Sequence, residues 1–138
     1  INISDYLNSV AFDTLRILEE KGPKLACTCD VEKINLDISQ SMALGQILSE
    51  LISNCSKHAF VGREVGNIKM KLSRIKGKEI ELSVIDNGIG FPDNFNIKQS
   101  PTLGLRLTNG LVQQLHGKLS IENSQGAIIR IRFEEKPI

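Results

Sequence analysis

Tryptophan is absent from this chain of 138 residues, tyrosine occurs once, and aromatic residues make up 4% of the whole. The formal net charge is only +1, and the basic residues are spread along the sequence rather than clustered. Neither the charge nor the lone tyrosine suits a nucleic-acid surface. No apolar run approaches the roughly 20 residues that span a bilayer, and no secretory signal stands at the start. Residue 1 is Ile and the first Met is Met42, so the sequence is expected to be a piece excised from a longer product. Cysteine is scarce and odd in number, at Cys27, Cys29 and Cys55. Cys27 and Cys29 continue the alternating series of Leu25 and Val31 and are expected to be core thiols. No further Cys or His lies at ligand spacing around them, which argues against a metal site. Free thiols fit a reducing cytoplasmic setting, with a parent protein that could itself be anchored in a membrane.

The residues that are present are enough for one domain, since a chain of this length can bury a sizeable core without staples. Neither a repeat nor a low-complexity tract interrupts it. Tyr6, Leu7, Val10, Ala11, Thr14, Leu15 and Leu18 give an amphipathic helix over Ser4–Glu20. Within residues 1–22 that helix is either a link to an upstream segment or the first helix of the domain; residues 23–138 form the domain itself. Strands are expected near Lys24–Val31 and Ile34–Ile38, then a helix from about Ser41 to Ala59. Two more strands follow near Asn67–Ile75 and Glu79–Asp86. A lid-like loop over Asn87–Leu103 leads to a helix at Leu105–His116 and strands at Lys118–Glu122 and Ala127–Glu134. Ile68, Met70 and Leu72 alternate with Lys69 and Lys71, and Ile129, Ile131 and Phe133 alternate with Arg130 and Arg132. One sheet face is therefore apolar and the other solvated, as antiparallel-rich sheets permit. The expected class is α+β, a two-layer α/β sandwich with a mixed, mostly antiparallel sheet and helices on one face.

Three short segments carry possible chemistry. In Glu50–Phe60, ELISNCSKHAF, a helical turn of roughly 100° per residue puts Glu50, Asn54 and Lys57 within an arc of about 60°, with His58 beside them. Oxygens of Glu50 and Asn54 could meet one hydrated Mg²⁺, which takes few protein ligands and shares its shell with phosphates. Lys57 could reach a phosphate. The stripe also reads as the wet side of an amphipathic helix whose dry side is Leu44, Ile47, Leu48, Leu51, Ile52 and Cys55.

The second segment is DNGIGFP at Asp86–Pro92. Asp86 continues the inward series Ile80, Leu82, Val84, and an inward carboxylate requires a partner. An adenine amino group is one suitable donor, while Asp-Asn-Gly is also common turn chemistry. The third segment, TLGL at Thr102–Leu105, opens a helix whose free N–H groups suit phosphate. An ordinary capped helix start, with Ser100 or Thr102 as the cap, gives the same pattern.

Taken in order, these segments resemble the ATP-binding catalytic domain of histidine kinases, within the gyrase, Hsp90, histidine kinase and MutL ATPases. ELISNCSKHAF resembles that family's N box, DNGIGFP its first glycine box, TLGLRLTNGLVQQLHGKLSIEN its second, and Gly126 in SQGAIIRIRF its last glycine element. The Glu that starts the N box, its Lys-His-Ala-Phe end and the TLGL form look most like one kinase subgroup. The match spans roughly residues 24–134 and implies a Bergerat-type ATP-binding fold.

The resemblance also implies roles. Asn54 would ligate Mg²⁺, and Glu50 would orient its water shell or act as a base. Lys57 and His58 would approach the phosphates. Asp86 would bind the adenine amino group, with Gly88 and Gly90 shaping the pocket floor and Gly126 nearby. Thr102, Leu103, Gly104 and Leu105 would bring a helix start to the phosphate tail. Thr102 stands where many kinases have glycine, and Ala127 where threonine is frequent.

The implied function is transfer of the ATP γ-phosphoryl to a histidine on a separate dimerisation segment, followed by a response regulator. No direct membrane contact from this segment is implied. Neither His58 nor His116 fits an exposed phosphoacceptor, so the acceptor is expected elsewhere. A serine kinase that controls a sigma factor, or a nucleotide-binding module without transfer, remains open. A hydrolytic gyrase- or MutL-type ATPase fits less well, as no transducer domain follows Pro137.

Overall fold

The structure is a computed structural model and describes residues 1–91, 103–123 and 125–136. Helix α1, Ile3–Leu18, starts where the Asn2 side chain accepts from the backbone N–H groups of Ser4 and Asp5. Its apolar stripe puts Ile3, Leu7 and Ala11 in the core. Strand β1, Lys24–Val31, follows, then helix α2, Ile38–Asn54, capped by Asp37 on the N–H of Gln40 at 2.7 Å. After Asn54 the helix widens into a π turn over Cys55–Ala59. Strands β2, Val65–Lys76, and β3, Glu79–Asp86, precede helix α3, Leu103–Gln114, and strands β4, Lys118–Asn123, and β5, Ala127–Glu134.

The sheet order is β1-β2-β3-β5-β4. Only the β1–β2 pair is parallel; the other three pairs are antiparallel. A parallel pair needs a long crossover, and α2 lies within it. Ile68, Met70, Leu72, Ile80, Leu82, Val84, Ile129, Ile131 and Phe133 turn one face of the sheet toward Leu44, Ile47, Leu48, Leu51 and Ile52 of α2. Burying each such side chain contributes about 1.5–3 kcal/mol. The opposite face carries ion pairs instead, Arg132 Nε to Glu81 Oε2 at 2.6 Å and Arg130 Nη1 to Glu122 Oε2 at 2.5 Å. The two-layer α+β class read from the alternation is the fold observed.

Several elements differ from the sequence expectation. Ile34–Ile38 is not a strand of the sheet. Asn35 makes only an isolated antiparallel bridge to Asn2, and Ile38 is already the first residue of α2. Ile34 and Leu36 are buried because this short extended run lies along the chain start, with Ile3 N–H donating to Ile34 O and Leu36 N–H to Ile1 O. The N-box helix begins at Ile38, before the expected Ser41, because Asp37 caps it; its last turn is π rather than α. Cys27 is half-buried and Cys29 exposed, so the pair is not a core pair. β1 is an edge strand, and its cover fades after Leu25. Burial, helped by the neighbouring Cys29, pushes the Cys27 thiol up to about 12. Helix α3 starts at Leu103 and stops at Gln114, with His116 turning the chain at φ 52°. That left-handed residue lets Gly117 N–H close on Val112 O at 3.0 Å, an arrangement common at helix ends.

Two close approaches set where α2 sits. Gly45 faces the Tyr6 ring of α1, and Gly66 of β2 faces the fully buried Phe60 ring. A Cβ on Gly66 would lie 2.5 Å from Phe60 Cε1. Gly66→Ala should therefore lower stability by about 1–3 kcal/mol, the usual range for an overpacked core. In urea this reads as a lower midpoint at an unchanged slope, and Phe60→Leu in the same chain should recover part of the loss.

Candidate functional site

At the C-terminal end of β3 the chain buries a carboxylate. Asp86 is 7% exposed and continues the inward face of the strand. Its Oδ1 accepts from Gly88 N–H at 2.8 Å and from Ala127 N–H at 3.2 Å. Its Oδ2 accepts from the Cys55 thiol at 3.6 Å. Burial first, then the charge of Asp86 and the hydrogen bond to it, hold the Cys55 thiol well above its ordinary range. Cys55 is therefore a protonated donor at neutral pH.

Glycines allow the surrounding backbones to close on this carboxylate. Gly126, at φ 136°, runs against the carbonyl of Asp86, and a Cβ there would overlap that oxygen. Gly88 lies so close to Ala59 O that a Cβ would collide with it, and Ile89 N–H donates to the same carbonyl at 2.9 Å. The first glycine box is thereby fastened to the π turn of the N box. Gly90 takes φ 77° beside Asn123. Asn87 extends the ladder: its side chain accepts from Asn67 N–H at 2.9 Å, and its carbonyl accepts from Arg63 at 2.8 Å.

The second half of the site lies where α2 meets α3. Glu50 and Asn54 are half-buried on the last turns of α2. Gly104 in the first turn of α3 packs directly on them; a Cβ there would stand 2.7 Å from Glu50 Oε2 and 3.6 Å from Asn54 Oδ1. Thr108 fixes that turn by donating to Gly104 O at 2.9 Å. Asn54 Nδ2 is buried and makes no hydrogen bond within the described residues, a condition that native interiors rarely tolerate without a partner.

Adjacent Glu and Asn oxygens suit a hard cation that keeps most of its own waters. Among the described residues no cluster of three or more His, Cys, Asp or Glu could cage a metal. Lys57 and His58 are exposed on the π turn. There the wider turn rotates them away from the α-helical positions that spacing alone assigns.

Glu50, Asn54, Gly104, Asp86, Gly88, Gly90 and Gly126 thus fall into two joined clusters across the N box. Leu105, in the first turn of α3, is buried. Thr102 and the side chain of Leu103 lie outside the described residues, as does most of the lid-like loop, residues 92–102. Asn123 is the residue that sequence reasoning missed. Its Oδ1 accepts from Phe91 N–H at 3.0 Å and its Nδ2 donates to Phe91 O at 2.7 Å. A polar residue ending β4 just before a turn was its only signal.

Residues 39–137 match the family model described as histidine kinase-, DNA gyrase B-, and HSP90-like ATPase. The chain is 24% identical, over 95% of its length, to the blue-light-activated histidine kinase 2 of Erythrobacter litoralis, of which it spans 38%. It is 33% identical, over 67% of its length, to the sensor histidine kinase ComP of Bacillus subtilis, of which it spans 11%. Among solved structures, the histidine kinase domain of an Erythrobacter litoralis blue-light activated kinase superposes with a TM-score of 0.86 at 24% identity. That likeness covers 98% of this chain and 62% of the other.

Removing the Asn123 clamp should free the backbone at the end of the first glycine box. In Asn123→Ala the amide proton of Phe91 should exchange with solvent at least tenfold faster, since its acceptor is gone. Global stability should fall by only about 1 kcal/mol, the scale of one or two exposed hydrogen bonds. Hydrogen exchange followed by NMR reads both; unchanged protection of Phe91 would contradict the clamp.

Proposed function

Because this chain belongs to the histidine kinase-, DNA gyrase B- and HSP90-like ATPase family, we propose that it is the ATP-binding catalytic domain of a sensor histidine kinase. It passes the γ-phosphoryl of ATP to a histidine on a dimerisation segment of its parent protein, from which a response regulator takes it. The observation that carries this reading is Asp86. A buried carboxylate, held on both oxygens at a strand end among closely packed glycine backbone, is suited to an exocyclic amino group. Adenine has such a group where guanine presents a carbonyl.

In this reading each side chain has a task. Asp86 accepts from the adenine amino group, with Gly88 and Gly90 shaping the pocket floor and Gly126 beside them. By the resemblance, Thr102, Leu103, Gly104 and Leu105 belong to the stretch that meets the phosphates, where α3 begins. Lys57 and His58, exposed on the π turn, swing toward the same anion. Asn54 holds Mg²⁺ by its side-chain oxygen, and Glu50 orients the ion's waters or accepts a proton. The ion would neutralise charge building on the transferred group. The unpartnered Asn54 amide and the Glu50 carboxylate, both close to Gly104, support this donor set.

Residues 23–138 form the catalytic domain, and the helix within residues 1–22 packs on it and carries the link to the upstream segment. The Glu-start N box ending in Lys-His-Ala-Phe supports the subgroup of light- and stress-sensing kinases. The reading includes neither a nucleic-acid partner nor a direct membrane contact. No helix among the described residues is long and apolar enough to cross a membrane.

Two measurements test the reading. By calorimetry, Asp86→Asn should weaken ATP binding roughly tenfold or more, as expected for a lost buried hydrogen bond, and GTP should bind poorly to the unaltered chain; equal affinity for the two would sink the adenine assignment. With labelled ATP, the chain should phosphorylate an added dimerisation segment of its parent at histidine, and Asn54→Ala should abolish that transfer while folding normally. Acid-stable label on a serine of an added protein would favour a serine kinase instead. Acid-labile label on His58 or His116 of the chain alone would place the acceptor within it.

A further inference from the structure

We propose that Cys55 is a positioning residue for nucleotide selectivity: its thiol fixes the Oδ2 of Asp86, the carboxylate oxygen left for the base. This rests on the adenine role proposed above for Asp86. The two oxygens of that carboxylate are held in unlike ways. Oδ1 is fastened by two backbone N–H groups, from Gly88 and Ala127, which no substitution can remove without moving the chain. Oδ2 has, among the described residues, one donor, the Cys55 thiol at 3.6 Å. Ala127 brings only its N–H and has no side-chain donor to add. The carboxylate can therefore pivot about Oδ1 unless the thiol stops it.

Geometry makes Cys55 the right residue for this. It is the first residue of the π turn, next to Asn54, and is 5% exposed. A thiol is a weak donor, which suits a group that must hold an acceptor without saturating it. Serine would place its oxygen nearer its own Cβ and reach Asp86 less well, and alanine would leave Oδ2 to rotate. Cys55 touches the carboxylate and not the ligand, so it acts through Asp86.

The test is a double-mutant cycle on this chain with Mg²⁺-ATP and Mg²⁺-GTP, read by calorimetry. Cys55→Ala should weaken ATP binding about three- to fivefold, the lower end of a hydrogen-bond loss, and narrow the preference for ATP over GTP. Cys55→Ser, which keeps a donor, should recover part of both. In the Asp86→Asn chain, adding Cys55→Ala should change ATP affinity by less than about 1.5-fold, since contacting residues couple. ATP affinity unchanged in Cys55→Ala, or lost equally in both backgrounds, would overturn the inference and leave Cys55 as packing.

A ligand-free measurement separates this from the ATP reading. The side-chain carboxyl carbon of Asp86 should shift in the NMR spectrum of Cys55→Ala. An unmoved resonance overturns the role of Cys55 even if ATP binds as proposed. A shifted resonance in a chain that binds no ATP would uphold the contact and overturn its tie to adenine.

Discussion

Three stretches of chain that are distant in sequence converge on the carboxylate of Asp86. The π turn sends the Cys55 thiol, the first glycine box sends Gly88 N–H, and the first residue of β5 sends Ala127 N–H. Hydrogen bonds to a charged acceptor contribute about 1.5–3 kcal/mol each, and leaving such a group unmatched inside the protein costs at least as much. That asymmetry explains why glycine stands at 88 and 126. Each allows a backbone to come near enough to donate to, or pass beside, the aspartate, where any Cβ would overlap a carbonyl. The site is thus a by-product of satisfying one buried charge.

Helix α2 carries this arrangement from one end of the domain to the other. At its start the fully buried Gln40 donates to Glu134 O at 2.8 Å and accepts from Lys136 N–H at 3.1 Å, locking the helix to the end of β5. In its middle Gly45 admits the Tyr6 ring and Ser49 meets Thr14, so α1 rests on it closely. At its end come Glu50, Asn54 and the π turn. A helix held at both ends and along its side offers its last residues little freedom, which is what a site with few direct contacts requires.

Much of this was legible before any coordinates, for identifiable reasons. Period-two alternation gave β3 and β5 with the bounds observed, because one face of the sheet is packed and the other is wet. The inward sense of Asp86 followed from the same alternation. Alternation misled at Ile34–Ile38, since any half-buried extended segment shows it, whether or not a neighbouring strand is there. It misled again at Cys29, because sequence does not reveal that β1 is an edge whose cover ends early. Helical spacing could not foresee the π turn, whose last carbonyl, that of Ala59, accepts from Ile89 N–H in a distant segment. Asn123 was invisible for a related reason: its partner is the backbone of Phe91, which carries no residue-specific signature.

The π turn at Cys55–Ala59 is in effect a helix with surplus length taken up in one loop. Cys55 opens the turn on the buried side, against Asp86, while Lys57 and His58 further along stand exposed to solvent. The N box therefore has a counting constraint as well as a chemical one. A residue removed from the regular part, Ile38–Asn54, would turn every later side chain by about 100°, whereas one removed inside the π turn would let it relax to α-helix with the later direction nearly kept. A change of length is therefore accommodated most easily within the π turn, where the surplus residue already stands.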